Sequence, residues 1–294
     1  MEPMSNGAAV HQPHDIEDGI HDGMSREEYG RIEAVNYSLL KHFAKSAAHA
    51  RYEMLSPSDP TESMDLGTAA HCAVFEPGRF AEEYVLGPNT SKRTNAGKAV
   101  WAEFEERNRG KGILELEEME ACQAMSRAVY AHEIVGPLLA APGKNEVVVL
   151  WHDAETGLRC KAMLDRLAFY AGWVTIADLK TCRDARPWAF AKMVSELLYH
   201  VQAAFYLDGL NTVAPAERKF LWIAIEKEQP YGIRVYDAGM IPETIEQGRA
   251  EYREYLRSYK LSQETGRWNA YPAVIEPLSL PRYTLTHVGA SDVD

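Results

Sequence analysis

The chain has 294 residues, is 46% hydrophobic and 25% charged, and carries a net charge of −12. That balance suits one large globular domain or two small ones and excludes a fibrous or wholly disordered chain. No run approaches the roughly 18 apolar residues of a membrane span, and no basic start with an apolar run marks a secretory signal. The acidic balance argues against a nucleic-acid partner unless a local basic patch or bound cations offset it.

Residues 1–24 hold Glu2, Asp15, Glu17, Asp18 and Asp22 without a Lys or Arg, and they show no apolar period. They read as a disordered acidic tail, residues 25–294 forming a single domain. Even without the tail the body stays acidic. Tyr37 to Phe43 reads as a helix with Asn36 as its N-cap. Ser56 to Pro60 reads as a loop, and Leu66 to Phe75 as a short apolar helix stopped by Pro77-Gly78.

Residues 87–98 are polar and basic, so a flexible segment is expected there, followed by a helix from Ala99 to Arg107. Residues 115–139 have the period of one long helix ended by Pro142-Gly143. Then the period changes. Glu146 to Trp151 is a β run, Asp153 to Gly157 a turn, and Leu158–Phe169 and Trp173–Thr181 two further strands. A helix is expected from Pro187 to Leu210, strands over Phe220–Glu226 and Ile233–Asp237, and an amphipathic helix over Pro242–Glu264. From Tyr271 the chain is Pro-rich and irregular. The sum is an α/β domain.

The hairpin 158–181 carries the chemistry. Ala171-Gly172 is its natural two-residue turn, and the resulting register places Asp165 opposite Asp178. Two facing carboxylates repel; a divalent cation between them reverses the sign. Lys180 leaves the same strand face as Asp178. It can neutralise the acids, orient or deprotonate a water, or stabilise charge on a phosphorane-like transition state. A lone D-x-K tripeptide is usually an exposed ion pair. The register-matched second Asp is what gives this one weight.

At this point the residues resemble the PD-(D/E)xK nuclease superfamily in its RecB-like branch, and within it the exodeoxyribonuclease VIII (RecE-type) group of phage and prophage exonucleases. The resemblance spans roughly residues 36–283. Leu66-Gly67-Thr68-Ala69-Ala70-His71 with Glu76-Pro77 is similar to that group's GTxxH…EP helix. Gly157 to Asp165 is similar to its second motif, Asp178-Leu179-Lys180 to its D-x-K strand, and Gln202 with Tyr206 to its QxxxY helix.

The resemblance implies a restriction-endonuclease-like core, a central mixed β-sheet flanked by helices. It implies that His71, Asp165, Asp178 and the Leu179 carbonyl bind Mg²⁺, with Mn²⁺ able to substitute. It further implies that Glu146 is another acid near the metal, that Lys180 is catalytic, and that Gln202 and Tyr206 line the site or the DNA path. Imidazole suits Mn²⁺ better than Mg²⁺. Arg93 and Lys98, in the basic segment before Trp101, would contact DNA phosphates.

The implied activity is a 5′→3′ exonuclease on double-stranded DNA ends, leaving 3′ single strands for a single-strand annealing recombination protein, in a homo-oligomeric ring. An endonuclease with the same core and a catalytically silent DNA-binding scaffold are the alternatives. Some RecB-like relatives hold an iron–sulfur cluster with three C-terminal cysteines. The cysteines here are Cys72, Cys122, Cys160 and Cys182, with no CxxC pair and none after Cys182. No cluster is therefore expected, and the scattered thiols fit a reducing, cytoplasmic setting.

Overall fold

The computed structural model describes residues 16–56 and 62–279, the side chains of 62–65 excepted. In chain order the elements are β1 (Gly19–His21), α1 (Arg26–Arg31), α2 (Tyr37–Phe43), α3 (Ala47–Leu55), α4 (Glu62–Phe75), α5 (Pro77–Glu83), β2 (Tyr84–Leu86), α6 (Asn95–Arg107), β3 (Gly112–Leu114), α7 (Leu116–Ala131) and α8 (Val135–Ala140). There follow β4 (Gly143–His152), β5 (Arg159–Tyr170), β6 (Trp173–Cys182), α9 (Pro187–Glu196), α10 (Tyr199–Val213), β7 (Arg218–Glu226), β8 (Ile233–Asp237) and α11 (Pro242–Thr265).

Six strands form a mixed sheet in the order β1-β4-β5-β6-β7-β8, and β2 pairs with β3 separately. The meander β4-β5-β6 is antiparallel, β7 joins β6 in parallel, and β8 returns antiparallel. Strand alternation sends residues to opposite faces. On β6 and β7, Ile176, Phe220, Trp222 and Ala224 join the core under α2, α9, α10 and α11. Their neighbours Ala177, Leu179, Leu221 and Ile223 join a second core under α4, α7 and α8. Fully buried side chains such as Phe205, Leu164 and Ile223 each contribute about 1.5–3 kcal/mol of transfer free energy. This is the α/β restriction-endonuclease-like arrangement expected, a mixed sheet flanked by helices.

Several expectations need correction. A disordered acidic tail is expected over 1–24, but Gly19–His21 is an edge strand paired with Val148–Leu150, and Ser25 caps α1 through a capping box with Glu28. Residues 1–15 of that tail lie outside the described residues, as do 57–60 of the loop and 280–294 of the C-terminal stretch. The helix expected from Ala99 begins at Asn95, because Thr94 accepts from Gly97 N–H as its N-cap. Pro77 does end α4 but also opens α5, since proline fits the first helical position.

The long helix over 115–139 is two. His132 Nδ1 accepts from Ile134 N–H and Val135 N–H, and Pro137 can stand only in a first turn. The helix over 187–210 also breaks, at Leu197–Leu198, where Leu198 adopts a left-handed φ of 59°. The Leu197 carbonyl accepts from Tyr37 O–H, so a tertiary contact holds a break that no Gly or Pro announces.

Candidate active site

The β5–β6 hairpin turns at Ala171-Gly172, with φ of 50° and 85°. Its register pairs Leu167 with Ile176 and Arg166 with Ala177. The ladder stops there, and Asp165 and Asp178 are the next rung. In place of a backbone bond, Leu179 N–H donates to Asp165 Oδ2 at 2.8 Å. On the other side of β5 the pairing runs Asn145 with Arg166 and Val147 with Leu164, skipping Glu146 opposite Asp165.

Glu146 has a φ of 52°, a left-handed conformation that costs a non-glycine residue about 1–2 kcal/mol. The lapse also shifts the alternation of faces. Leu164 packs in the core with Val147, whereas Ala168, an even number of positions on, packs in the other core. β5 therefore loses its pairing to both neighbours at the rung of Asp165, while Asp178 keeps its place opposite Trp222 in the β6–β7 ladder.

Helix α4 fills the opening. Gly67 meets β6 where an added Cβ would come within 3.3 Å of Thr181 Oγ1. One turn later His71 reaches the gap, with Nε2 2.6 Å from Asp165 Oδ2 and Nδ1 3.5 Å from Glu146 Oε1. The second Glu146 oxygen is 2.9 Å from Arg26 Nη2 on α1. That helix is itself held by Lys161, a buried residue whose Nζ donates to the carbonyls of Tyr29 and Ile32 at 2.8 and 2.7 Å.

Asp178 and Lys180 form the other half. Lys180 Nζ is 2.6 Å from Asp178 Oδ2 and 4.4 Å from the centroid of the Tyr199 ring. Tyr199 opens α10 immediately after the Leu198 break, so the break aims the ring at the lysine. Gln202 and Tyr206 follow on the same helix face. Gln202 Oε1 is buried with no hydrogen-bond partner among the described residues. His71, Glu146, Asp165, Asp178, Lys180, Tyr199, Gln202 and Tyr206 line one cavity of about 770 Å³ together with Arg26, Tyr29, Asn36 and Tyr37.

Burial and charge set the protonation states. Burial pushes the Asp178 carboxyl up to about 6, reinforced by Asp165 and opposed by Lys180. Burial also raises Glu146, against the pull of Arg26. For Asp165 burial works upward, but His71, Lys180 and the Leu179 amide win and lower it. Burial works to lower His71, but Asp165 and Glu146 raise it. Lys180 likewise is held above its ordinary value by Asp178, Tyr199 and Asp165 despite burial. It therefore carries a proton at neutral pH.

Over residues 36–277 the chain matches the family described as "PDDEXK-like domain of unknown function (DUF3799)". The chain belongs to this family. Among solved structures, a "Putative exonuclease" from Eubacterium rectale aligns with a TM-score of 0.55 at 14% identity, over 87% of this chain and 96% of that one. That likeness shows a shared fold. A second solved structure, SSO0001, aligns over 74% of this chain and 84% of that one at 15% identity, with a TM-score of 0.28, too low to bear on the fold. No curated protein matches the chain.

The PDDEXK-like rung fits a divalent cation. One ligand atom each from His71, Glu146 and Asp165 lies within 4.8 Å of the others. His71 Nδ1 and both Glu146 carboxylate oxygens are buried and, beyond their ion-pair approaches to each other and to Arg26, make no hydrogen bond among the described residues; a cation would satisfy them. A nitrogen with carboxylate oxygens suits Mn²⁺ and is acceptable to Mg²⁺.

Glu146 stands inside the compact triad, while Asp178 is outside it and engaged by Lys180. Leu179, which also lines the cavity, donates its N–H to Asp165. Arg93 and Lys98 lie in and after the exposed loop before α6 and do not line the cavity. In that loop Lys92 Nζ stands 3.8 Å from the Trp101 ring centroid, and Trp101 Nε1–H donates to the Thr90 carbonyl.

Sequence reasoning missed Arg26 and Tyr199. Nothing in the pattern marks Arg26, which precedes every quoted motif. Tyr199 stood next to one of those motifs, but only the break at Leu198 gives it a role. Among the described residues, no helix is long and apolar enough to cross a membrane.

Proposed function

We propose that this protein hydrolyses phosphodiester bonds of double-stranded DNA in a divalent-metal-dependent reaction, using Mg²⁺ or Mn²⁺. The observation that carries this reading is the His71–Glu146–Asp165 triad beside the Asp178–Lys180 pair, all in one cavity. The triad would hold the cation. When bound, the cation supplies Lewis acidity that polarises the scissile phosphate and makes water a better acid.

The chain's own residues do the rest. Lys180, an ammonium steered by Asp178 and Tyr199, donates to a phosphate oxygen and offsets the charge that develops there. Asp178 fixes the direction of that ammonium, and at neutral pH its carboxylate can orient a water by accepting a hydrogen bond. Gln202 and Tyr206 present polar groups on the wall, where they position the nucleotide. Arg93 and Lys98, outside the cavity, contact phosphates further along the duplex.

The finer reading follows the RecE-type resemblance: attack at duplex ends, 5′→3′, leaving a 3′ strand for an annealing protein, in a ring of like subunits. An encircling ring reconciles the net charge of −12 with a polyanionic substrate, because the channel can be basic while the exterior is acidic.

The test offers linear duplex, labelled at either 5′ or 3′ ends, alongside covalently closed circles, with Mg²⁺ or Mn²⁺. Progressive loss of the 5′ strand with circles spared is expected. Nicked or linearised circles indicate an endonuclease with the same core. Retention of both substrates with tight DNA binding indicates a silent scaffold.

A further inference from the structure

The cavity has two chemically distinct ends. Its acids, Glu146, Asp165 and Asp178, stand at the rung where β5 loses its pairing. From there β6 runs on through Lys180 and Cys182 to Arg183, and all three line the same cavity. β7 lies beside β6 in parallel, and the last rung pairs Cys182 with Glu226. The next residue on each strand is basic, Arg183 and Lys227, and both line the cavity. The lining therefore passes from carboxylates to cations along the direction of β6.

Two bases at the ends of neighbouring strands repel, as two facing acids do. An anion between them reverses the sign. The acids beside Arg183 have other partners. Asp184 Oδ2 is 2.6 Å from Arg186 Nη2, and Glu226 Oε1 accepts from Ala185 N–H at 2.9 Å. Burial holds the Lys227 ammonium below its ordinary value, so an anion that approaches it favours its charged form.

The backbone that presents the two bases is held by hydrogen bonds. Lys227 N–H donates to the Cys182 carbonyl at 3.0 Å. Tyr236 O–H donates to the Ala185 carbonyl, whose own N–H is the one held by Glu226. A ligand that binds here does not have to order the loop first.

Spacing points to the kind of anion. Arg183 stands three residues beyond Lys180, about 10 Å of strand. Each strand of a duplex carries a phosphate about every 3.4 Å of axis. With the scissile phosphate at Lys180, the two bases meet a phosphate of the same strand a few linkages away. Arg183 offers a planar fork that matches phosphate oxygens, and Lys227 a point charge.

We infer that Arg183 and Lys227 form a second phosphate subsite, which holds the substrate strand a few linkages from the scissile phosphate. This rests on the DNA hydrolysis proposed for the cavity. It adds the direction in which the strand leaves the metal triad: along β6, towards the ends of β6 and β7.

The test is equilibrium binding of a fluorescein-labelled linear duplex, read by anisotropy over a range of KCl with Ca²⁺ in place of Mg²⁺. The full native chain is compared with Arg183→Ala, Arg183→Lys, Lys227→Ala and, as a control on α11, Lys260→Ala. Each alanine at the subsite should weaken binding roughly tenfold and lower the slope of log K against log salt by about 0.7–0.9. Arg183→Lys should recover most of the slope, and Lys260→Ala should bind like the native chain. Mn²⁺ affinity without DNA, read by isothermal titration, should stay within about twofold throughout, because the triad lies at the other end of the cavity. A neutral methylphosphonate placed at successive linkages locates the contact. At one linkage the native chain should lose what Arg183→Ala loses, and that variant should lose nothing more. Subsite variants that match the native chain in affinity and slope overturn the subsite and leave the nuclease reading standing. So do variants whose Mn²⁺ affinity falls along with their DNA affinity, or methylphosphonate penalties equal at every linkage. A native chain that binds no DNA overturns both.

Discussion

His71 Nε2 lies 2.6 Å from Asp165 Oδ2, at the rung where both β4–β5 and β5–β6 pairing lapse. The contact brings an imidazole from a helix into the gap where β5 loses its pairing to both neighbours. Without the lapse, Asp165 would be an ordinary mid-strand residue. Without the close approach of α4 at Gly67, the gap would lack its nitrogen.

That approach makes a prediction about a residue with no chemistry. A methyl group at Gly67 would meet Thr181 Oγ1 at 3.3 Å, tight but yielding by a few tenths of an ångström. Gly67→Ala should therefore leave metal binding within a fewfold of native, helped by alanine's better helix propensity. Gly67→Leu must move α4 or Thr181, and should weaken Mn²⁺ binding at least about tenfold. Isothermal titration with Mn²⁺ reads this directly, with circular dichroism confirming the fold. Equal affinities in the leucine variant would remove His71 from the binding set.

The buried acids predict how pH and metal interact. Asp178 is pushed from its ordinary 3.8 up to about 6. A carboxyl with a raised folded value favours the folded state while it keeps its proton. That contribution is present at low pH and is lost as pH rises through about 6. A cation beside the acids reverses the sign by stabilising the charged forms, and protons compete with it below that pH. The gain in Tm on adding saturating Mn²⁺ should therefore be roughly 5 °C or more at pH 7.5 and shrink towards pH 5. Differential scanning calorimetry across that range checks it; a gain that is flat with pH contradicts it.

Much of the architecture was legible because it rests on local signals. Asn36 caps α2 as read, accepting from Leu39 N–H. The Ala171-Gly172 turn set the hairpin register that the structure has, and β8 runs Ile233–Asp237 as its pattern indicates. What escaped was decided by distant contacts. The Leu198 break depends on a bond from Tyr37. The strand Gly19–His21 has a polar, glycine-led sequence and exists because β4 offers it an edge. Arg26 reaches Glu146 because Lys161 holds the end of its helix. Asp165, Asp178 and Lys180 could be named from their spacing, and Glu146 only from the resemblance. Their grouping could not, because strand periodicity alone does not foretell a left-handed Glu146.

Tyr199 is expected to act through Lys180 rather than on the substrate. The ring centroid is 4.4 Å from Lys180 Nζ, a cation–π contact worth about 0.5–2 kcal/mol. Tyr199→Leu should lower kcat roughly 3- to 30-fold with KM little changed, and Tyr199→Phe should recover most of the loss because the ring face is kept. Steady-state kinetics on an end-labelled duplex separate the two. A phenylalanine variant as poor as leucine would assign the role to the hydroxyl.

The central claim is that Asp178 and Lys180 work on DNA beside a metal held by His71, Glu146 and Asp165. The most direct measurement is single-turnover hydrolysis of linear duplex DNA in Mg²⁺ and in Mn²⁺ by the native chain, Asp178→Ala and Lys180→Ala. Circular dichroism confirms the fold of each. The native chain should digest the duplex only when a metal is present, and each variant should be slower by about 10²- to 10⁴-fold. Intact DNA with the native chain in both metals, or variants that digest at the native rate, would contradict the account.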